Sequence, residues 1–271
     1  MKTTAELKEI ARKARISALK GIHAAGAGHP GGSFSSTDIL VALYFNVMNI
    51  DPEHPDMEGR DRLVLSKGHG APALYATLAE RGYFDPEEML SLRKIGSRLQ
   101  GHPDMHKCPG VELSTGSLGQ GFSAAVGMAI ADKIDGIDRK TFAILGDGEL
   151  QEGIIWEAAL AAAKYELNNL IAIVDWNNLQ IDGVVDTVKK VAPVDEKFKA
   201  FGFETFNCDG HDMDEILATL DKALKVSDKP VCIVAKTVKG KGVSFMENQA
   251  GWHGKAPNDE QFEQALKELG A

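Results

Sequence analysis

Asp147 and Asn177 lie about thirty residues apart, each close behind a short apolar run. A carboxylate and an amide oxygen are hard ligands, suited to Mg²⁺ or Ca²⁺. Mg²⁺ usually accepts only one or two protein carboxylates and fills its octahedron with phosphate oxygens and water. Gly146 and Gly148 flank Asp147 without a Cβ, so a diphosphate could approach the backbone closely. A helix following them would aim its N-terminal amides at that anion. Taken alone, GDG fits an aspartate that merely caps a helix, and Asn177-Asn178 fits an ordinary turn. The order strand, turn, helix, strand favours the site, because both residues then emerge at the carboxyl edge where open α/β sheets bind ligands.

Histidines supply a second kind of chemistry. Of the eight, His29, His69, His102, His211 and His253 have a glycine neighbour. Such an imidazole sits where the backbone bends and can face a cleft, although a single one is more often a turn residue than a catalyst. His29, His69, His102 and His253 fall in loops that could converge on one sheet edge. Imidazole titrates near neutrality, so a convergent set suits acid–base work or phosphate binding. His211, in DGHD just before a helix, reads as a structural turn residue. His23 lies within the first helix, and His54 and His106 lie in exposed loops.

The elements that must position these groups follow from periodicity. Residues 141–145 and 170–174 are apolar runs read as buried strands, and 153–165 is an alanine-rich helix between them. Upstream, 4–25 is amphipathic and helical, 26–33 is glycine-rich and read as a loop, and 39–47 is a second helix. An exposed loop spans 51–61, a strand 62–66, a helix the stretch up to Gly82, and a short helix 85–95. Small residues stud the helix 122–134, which implies burial, with a subunit contact as one way to achieve it. A polar segment, 184–199, precedes strands at 203–207 and 231–235, separated by a helix that Asp212 caps. Residues 239–255 form a long loop of the kind that is usually functional or disordered, and 258–269 a final helix. With no repeat and no linker, residues 1–271 read as one α/β domain, an open, mostly parallel sheet flanked by helices.

A formal charge of −9 argues against a nucleic-acid partner or an anionic membrane surface. It also means that a bound anion needs local help from cations, helix ends, lysines or histidines. The widely separated cysteines Cys108, Cys208 and Cys232 suggest neither a disulfide framework nor a CxxC metal motif, so a reducing cytoplasm fits. No signal peptide and no bilayer-crossing run is evident.

The motifs jointly resemble the transketolase family. GDG followed by NN is similar to the thiamine diphosphate fingerprint, and GDGELQEG resembles its transketolase form. GHPGGS, LSKGHG, QGHPD and GWHG resemble the family's histidine motifs, in order from His29 to His253. STGSLGQG is similar to its diphosphate-side loop, with Ser117 where proline is more usual. The resemblance implies that Asp147, Asn177 and the backbone carbonyl of Leu179 hold Mg²⁺, with Ca²⁺ or Mn²⁺ as substitutes. It implies that His69, Gly116, Leu118, Gly148, Asn177 and His253 surround thiamine diphosphate, and that His29, His69, His102 and His253 are catalytic. Glu152 and Glu157 resemble residues near the family's subunit interface, and are equally compatible with plain exposure.

The implied reaction moves a two-carbon ketol unit from a ketose phosphate to an aldose phosphate, as in pentose phosphate metabolism. The glutamate that activates the cofactor's aminopyrimidine, and most groups that grip the sugar phosphate, belong to a following pyrimidine-binding domain in the family. The sequence therefore resembles the N-terminal subunit of a split transketolase, working with a separate C-terminal subunit in an α2β2 heterotetramer. The alternatives are a deoxyxylulose-phosphate synthase half, a 2-oxo acid dehydrogenase α chain and a non-catalytic cofactor-binding subunit. A nicotinamide dehydrogenase is disfavoured because GSLGQG has the wrong spacing and follows no clear strand. A metal-dependent phosphohydrolase could use His and Asp, but the sequence has no paired HxH or HExxH ligands.

Overall fold

The two apolar runs around the central helix are neighbours in a five-stranded, all-parallel sheet, in a computed structural model that describes residues 1–271. Its strands are β1 (Arg62–Leu65), β2 (Thr141–Gly146), β3 (Leu170–Trp176), β6 (Glu204–Asp209) and β7 (Val231–Lys236), in the order β1-β2-β3-β7-β6. A two-residue hairpin, β4 (Leu179–Gln180) and β5 (Gly183–Val184), follows β3 and is not signalled by the sequence pattern. Gly146 pairs with Asp175 in the β2–β3 register, which brings the turn after β2 beside the turn after β3.

Strand residues alternate between two apolar cores. Phe142, Ile144, Ile171, Ile173 and Ile233 face one side, with α1 (Thr4–Ala25), α2 (Pro30–Ala42), α3 (Ala71–Arg81) and α8 (Met213–Leu224). Ala143, Leu145, Ala172, Val174 and Cys232 face the other, with α4 (Gln120–Asp135), α5 (Gly153–Lys164) and α7 (Val194–Ala200). Both faces are covered, which is why these strands read as unbroken apolar runs. The short α6 (Val185–Lys189) and the closing α9 (Asp259–Glu268) complete the chain.

Capping explains the clearest helix limits. Thr3 and Glu6 form a reciprocal capping box on α1, and Gly26 ends it in a left-handed conformation at φ 62°. Asp212 caps α8 through the amides of Asp214 and Glu215, and Asn258 with Gln261 boxes α9.

Five expectations are corrected. The stretch 26–33 is not a loop throughout, because α2 begins at Pro30 and contains Gly31, Gly32 and Ser33, all buried. Its glycines serve proximity: a Cβ at Gly31 would lie 2.9 Å from the Trp252 carbonyl oxygen, and one at Gly32 3.2 Å from His69 Nε2. Helix 39–47 is the end of α2 followed by a π-helical turn at Leu43–Val47, and 85–95 shortens to a 3₁₀ turn at Pro86–Ser91. A 3₁₀ turn at Gly148–Gln151 also separates GDG from α5, so α5 does not begin at the candidate anion site. Finally, α4 is buried on one side only: Gly127, Ala131 and Ile134 are exposed, Ile134 at 78%, and Leu160 of the adjacent α5 is exposed at 60%.

Two alanine substitutions should act in opposite directions in urea unfolding. Gly31→Ala overpacks the α2 contact and should lower stability by about 1–3 kcal/mol. Gly127→Ala meets open space in a helix interior and should raise it by about 0.5–1 kcal/mol.

Candidate functional site

A cleft of about 330 Å³ opens at the carboxyl ends of β2 and β3. Asp147, Gly148, Asn177, Leu179, Gly116, Leu118, His69 and His253 all line it. His29 and His102 stand beside it. The ring of His29 lies 5.5 Å from His69, 5.6 Å from His253 and 6.1 Å from His102, centre to centre, and His69 lies 4.9 Å from His253. Four loops far apart in the chain thus deliver one imidazole cluster.

The three candidate metal ligands are linked to one another. Asp147 accepts hydrogen bonds from the amides of Gly148 (2.7 Å) and Asn177 (3.0 Å). Asn177 Oδ1 accepts from the Leu179 amide at 3.1 Å, and the Leu179 carbonyl accepts from Lys239 Nζ at 3.1 Å. Burial, and then the neighbouring Asp175 carboxylate, push Asp147 up to about 6, against the opposing pull of Lys239. A buried carboxylate under that stress fits a divalent cation, whose charge would relieve it. No cluster of three or more His, Cys, Asp or Glu is poised for a metal. One carboxylate, one amide and one main-chain carbonyl make a hard-oxygen set instead.

Missing Cβ atoms let the loops around the cleft close on one another. One at Gly148 would lie 3.0 Å from Gln180 Cβ, and one at Gly116 3.2 Å from His102 Cδ2. Positive charge comes from Lys67 and Lys239, both buried and both lining the cleft. Lys239 is pulled down to about 8, chiefly by burial.

Sequence reasoning missed four residues that build this site. Lys67 donates to the Gly32 carbonyl at 2.6 Å and pairs with Asp175, which also accepts from Ser35 (2.6 Å) and Thr237. Glu149 accepts from Ser66 Oγ and from the amides of Gly119 (2.7 Å) and Gly146 (2.9 Å), so one carboxylate pins three loops. Lys239 is the fourth. Glycine neighbours in SKGHG and KGKG are the only local signal that Lys67 and Lys239 lie inside. Glu152 lines the cleft, and both it and Glu157 are exposed.

The fold lowers all four imidazoles below the ordinary histidine value. Burial, followed by Arg93, His102 and Lys239, lowers His29 to about 4. Burial, followed by Lys239, lowers His253 to about 3. His69 and His102 are lowered in the same way, by burial first and then by Lys67 and Arg93 respectively. All four are neutral at pH 7, and the Nδ1 atoms of His29 and His253 are buried without a hydrogen-bond partner. A neutral imidazole has one N–H donor and one acceptor nitrogen.

Comparison with known proteins places these features in context. Residues 7–271 match the family model described as transketolase, thiamine diphosphate binding domain. The chain is 45% identical to the 6-deoxy-6-sulfo-D-fructose transketolase subunit SqwG of Clostridium sp. (strain MSTE9), over 97% of this chain and 96% of that one. It is 42% identical to one of the apulose-4-phosphate transketolase subunits of Phocaeicola vulgatus, over 98% and 94%. Among solved structures, the transketolase of Campylobacter jejuni superposes with a TM-score of 0.93 at 36% identity, covering all of this chain. This chain spans 43% of that longer one.

The imidazole cluster predicts a pH dependence. Histidines of the unfolded chain take up protons from about pH 6.5 downward, whereas His29 resists to about 4. Between those limits the unfolded state binds more protons, so stability falls as the pH drops. Urea unfolding at about pH 7.5 and about pH 5 should show a smaller loss for His29→Asn than for the unmodified chain. Equal losses would contradict the burial of a neutral His29.

Proposed function

Because this chain belongs to the transketolase family, we propose that it is the diphosphate-binding subunit of a two-chain transketolase, with residues 1–271 as one domain. The observation that carries this reading is one cleft in which the Asp147–Asn177–Leu179 oxygen set meets His69 and His253, with the rings of His29 and His102 next to them. Asp147, Asn177 and the Leu179 carbonyl would hold Mg²⁺, and Lys239 would offset part of the diphosphate charge, Lys67 being paired with Asp175. Gly116, Leu118 and Gly148 would line thiamine diphosphate, with His69 and His253 against it. When bound, the cofactor supplies the carbon nucleophile that opens a carbon–carbon bond beside a ketone. His29, His102 and His253 would accept and return the protons of sugar hydroxyls, and His69 would orient the cluster from its buried side.

The partner would be a separate C-terminal subunit in an α2β2 assembly, and the compartment the cytoplasm. No helix here is long and apolar enough to cross a membrane. The exposed, small-residue face of α4 and α5, with Gly127, Ala131, Ile134 and Leu160, supports burial against another chain. The substrates would be sugar phosphates of pentose phosphate metabolism or an anionic ketose related to them. SqwG is named for a sulfo sugar and the Phocaeicola protein for apulose 4-phosphate, so close relatives differ in the sugar named.

Mixing this chain with its partner, thiamine diphosphate, Mg²⁺, xylulose 5-phosphate and ribose 5-phosphate should yield sedoheptulose 7-phosphate only when both chains are present. Turnover by this chain alone would refute the two-chain reading. In the complete enzyme, Asp147→Ala should abolish metal-dependent cofactor binding in calorimetry. His102→Ala should leave that binding intact and lower kcat/KM by roughly 10²–10⁴-fold, the usual worth of positioned proton transfer. Gly127→Trp should leave the fold intact and prevent assembly, as read by sedimentation.

A further inference from the structure

His211 lies outside the cleft, in the turn between β6 and α8, with its side chain 11% exposed. Its ring has two well-defined partners on opposite sides. Nδ1 lies 2.7 Å from Asp38 Oδ2, and Nε2 lies 2.8 Å from the backbone nitrogen of Val238. An amide can only donate, so Nε2 must carry the lone pair, and Nδ1 then bears the hydrogen that Asp38 accepts. The neutral Nδ1–H tautomer is thereby fixed by its surroundings.

Neither partner is free to drift. Asp38 is held by both terminal nitrogens of Arg15, at 3.1 and 2.5 Å, and Arg15 also bonds the Phe34 carbonyl at 3.0 Å. Both side chains are buried, on α1 and α2. Val238 is the second residue of a ribbon in which every position is tied to a different element. Thr237 bonds Asp175, the Gly240 amide bonds the Gly31 carbonyl at 3.0 Å, and Lys239 Nζ bonds the Leu179 carbonyl at 3.1 Å. Gly210 approaches the same ribbon so closely that a Cβ there would lie 2.5 Å from Thr237 Cγ2.

We propose that His211 is a positioning residue: the chain Arg15–Asp38–His211–Val238 sets the backbone just before Lys239 and so aims the Lys239 ammonium into the cleft. This rests on reading the cleft as a diphosphate site. The imidazole touches no ligand. Its contribution is to fix one amide, and through it the point at which a positive charge meets an anion.

Two measurements on the full chain test it separately. Amide hydrogen exchange without ligand should be about tenfold faster in residues 237–240 of His211→Phe, with β3 unchanged, an opening of the kind local exchange reports. Unchanged exchange overturns the tether. Calorimetry with Mg²⁺ and inorganic pyrophosphate should show His211→Phe weakened roughly tenfold, about one charge-assisted hydrogen bond. His211→Gln, which can offer N–H to Asp38 and C=O to Val238, should recover most of the loss. The double variant with Lys239→Met should bind no more weakly than Lys239→Met alone, because His211 acts through that lysine. Additive losses would mean a general structural role and overturn the proposal. Faster exchange with unchanged pyrophosphate binding in Lys239→Met would instead remove the diphosphate reading of the cleft, and the proposed role with it. Should His211→Phe fail to fold, nitrogen chemical shifts of the unmodified chain decide: an Nε2–H or doubly protonated His211 at neutral pH overturns the proposal.

Discussion

A carboxylate with no access to water organises this molecule. Asp175, at the end of β3, is fully buried, and an isolated charge in that position would be prohibitively costly. Burial alone would raise it, but Lys67 with the hydroxyls of Ser35 and Thr237 more than reverses that and holds it lowered. Those partners come from β1's trailing loop, from α2 and from the end of β7. Satisfying Asp175 therefore fixes three chain segments at once. His69 follows Lys67 by two residues, His29 caps α2, and Lys239 follows Thr237 by two. Removing one partner would leave the others holding an uncompensated charge, which costs more than the lost contact itself.

Around this anchor the cleft is crowded rather than roomy. Glycines at 31, 32, 116 and 148 sit where a Cβ would strike the opposite loop, and they allow four histidines to share one space. Crowding sets the chemistry as well as the shape. Dry surroundings and nearby cations keep the imidazoles neutral, so they meet a ligand as hydrogen-bonding groups with open lone pairs. A polar network of this kind is rigid only while every member is satisfied. Glu149, binding three loops through one side chain, shows how much of the site is held from behind.

Much of this was legible in the residues. Residues 141–145 and 170–174 are unbroken apolar runs because both sheet faces are covered, and the strand pairing that follows brings Asp147 beside Asn177. The histidines stood out because glycine neighbours are a local signal. Burial is not local, and the misreadings gather there. Lys67 and Lys239 look like surface lysines until their partners are known. Gly31 and Gly32 signal a loop, yet α2 includes them because its whole circumference is enclosed. The small residues of α4 indicated close packing correctly, but within this chain one side of that helix packs against nothing.

That bare side matters to the chain in solution. An apolar strip bounded by Ile134 and Leu160 is tolerable in water only while it is dilute or covered. Ile134 and Leu160, left bare, would make the isolated chain less soluble than its net charge of −9 alone suggests.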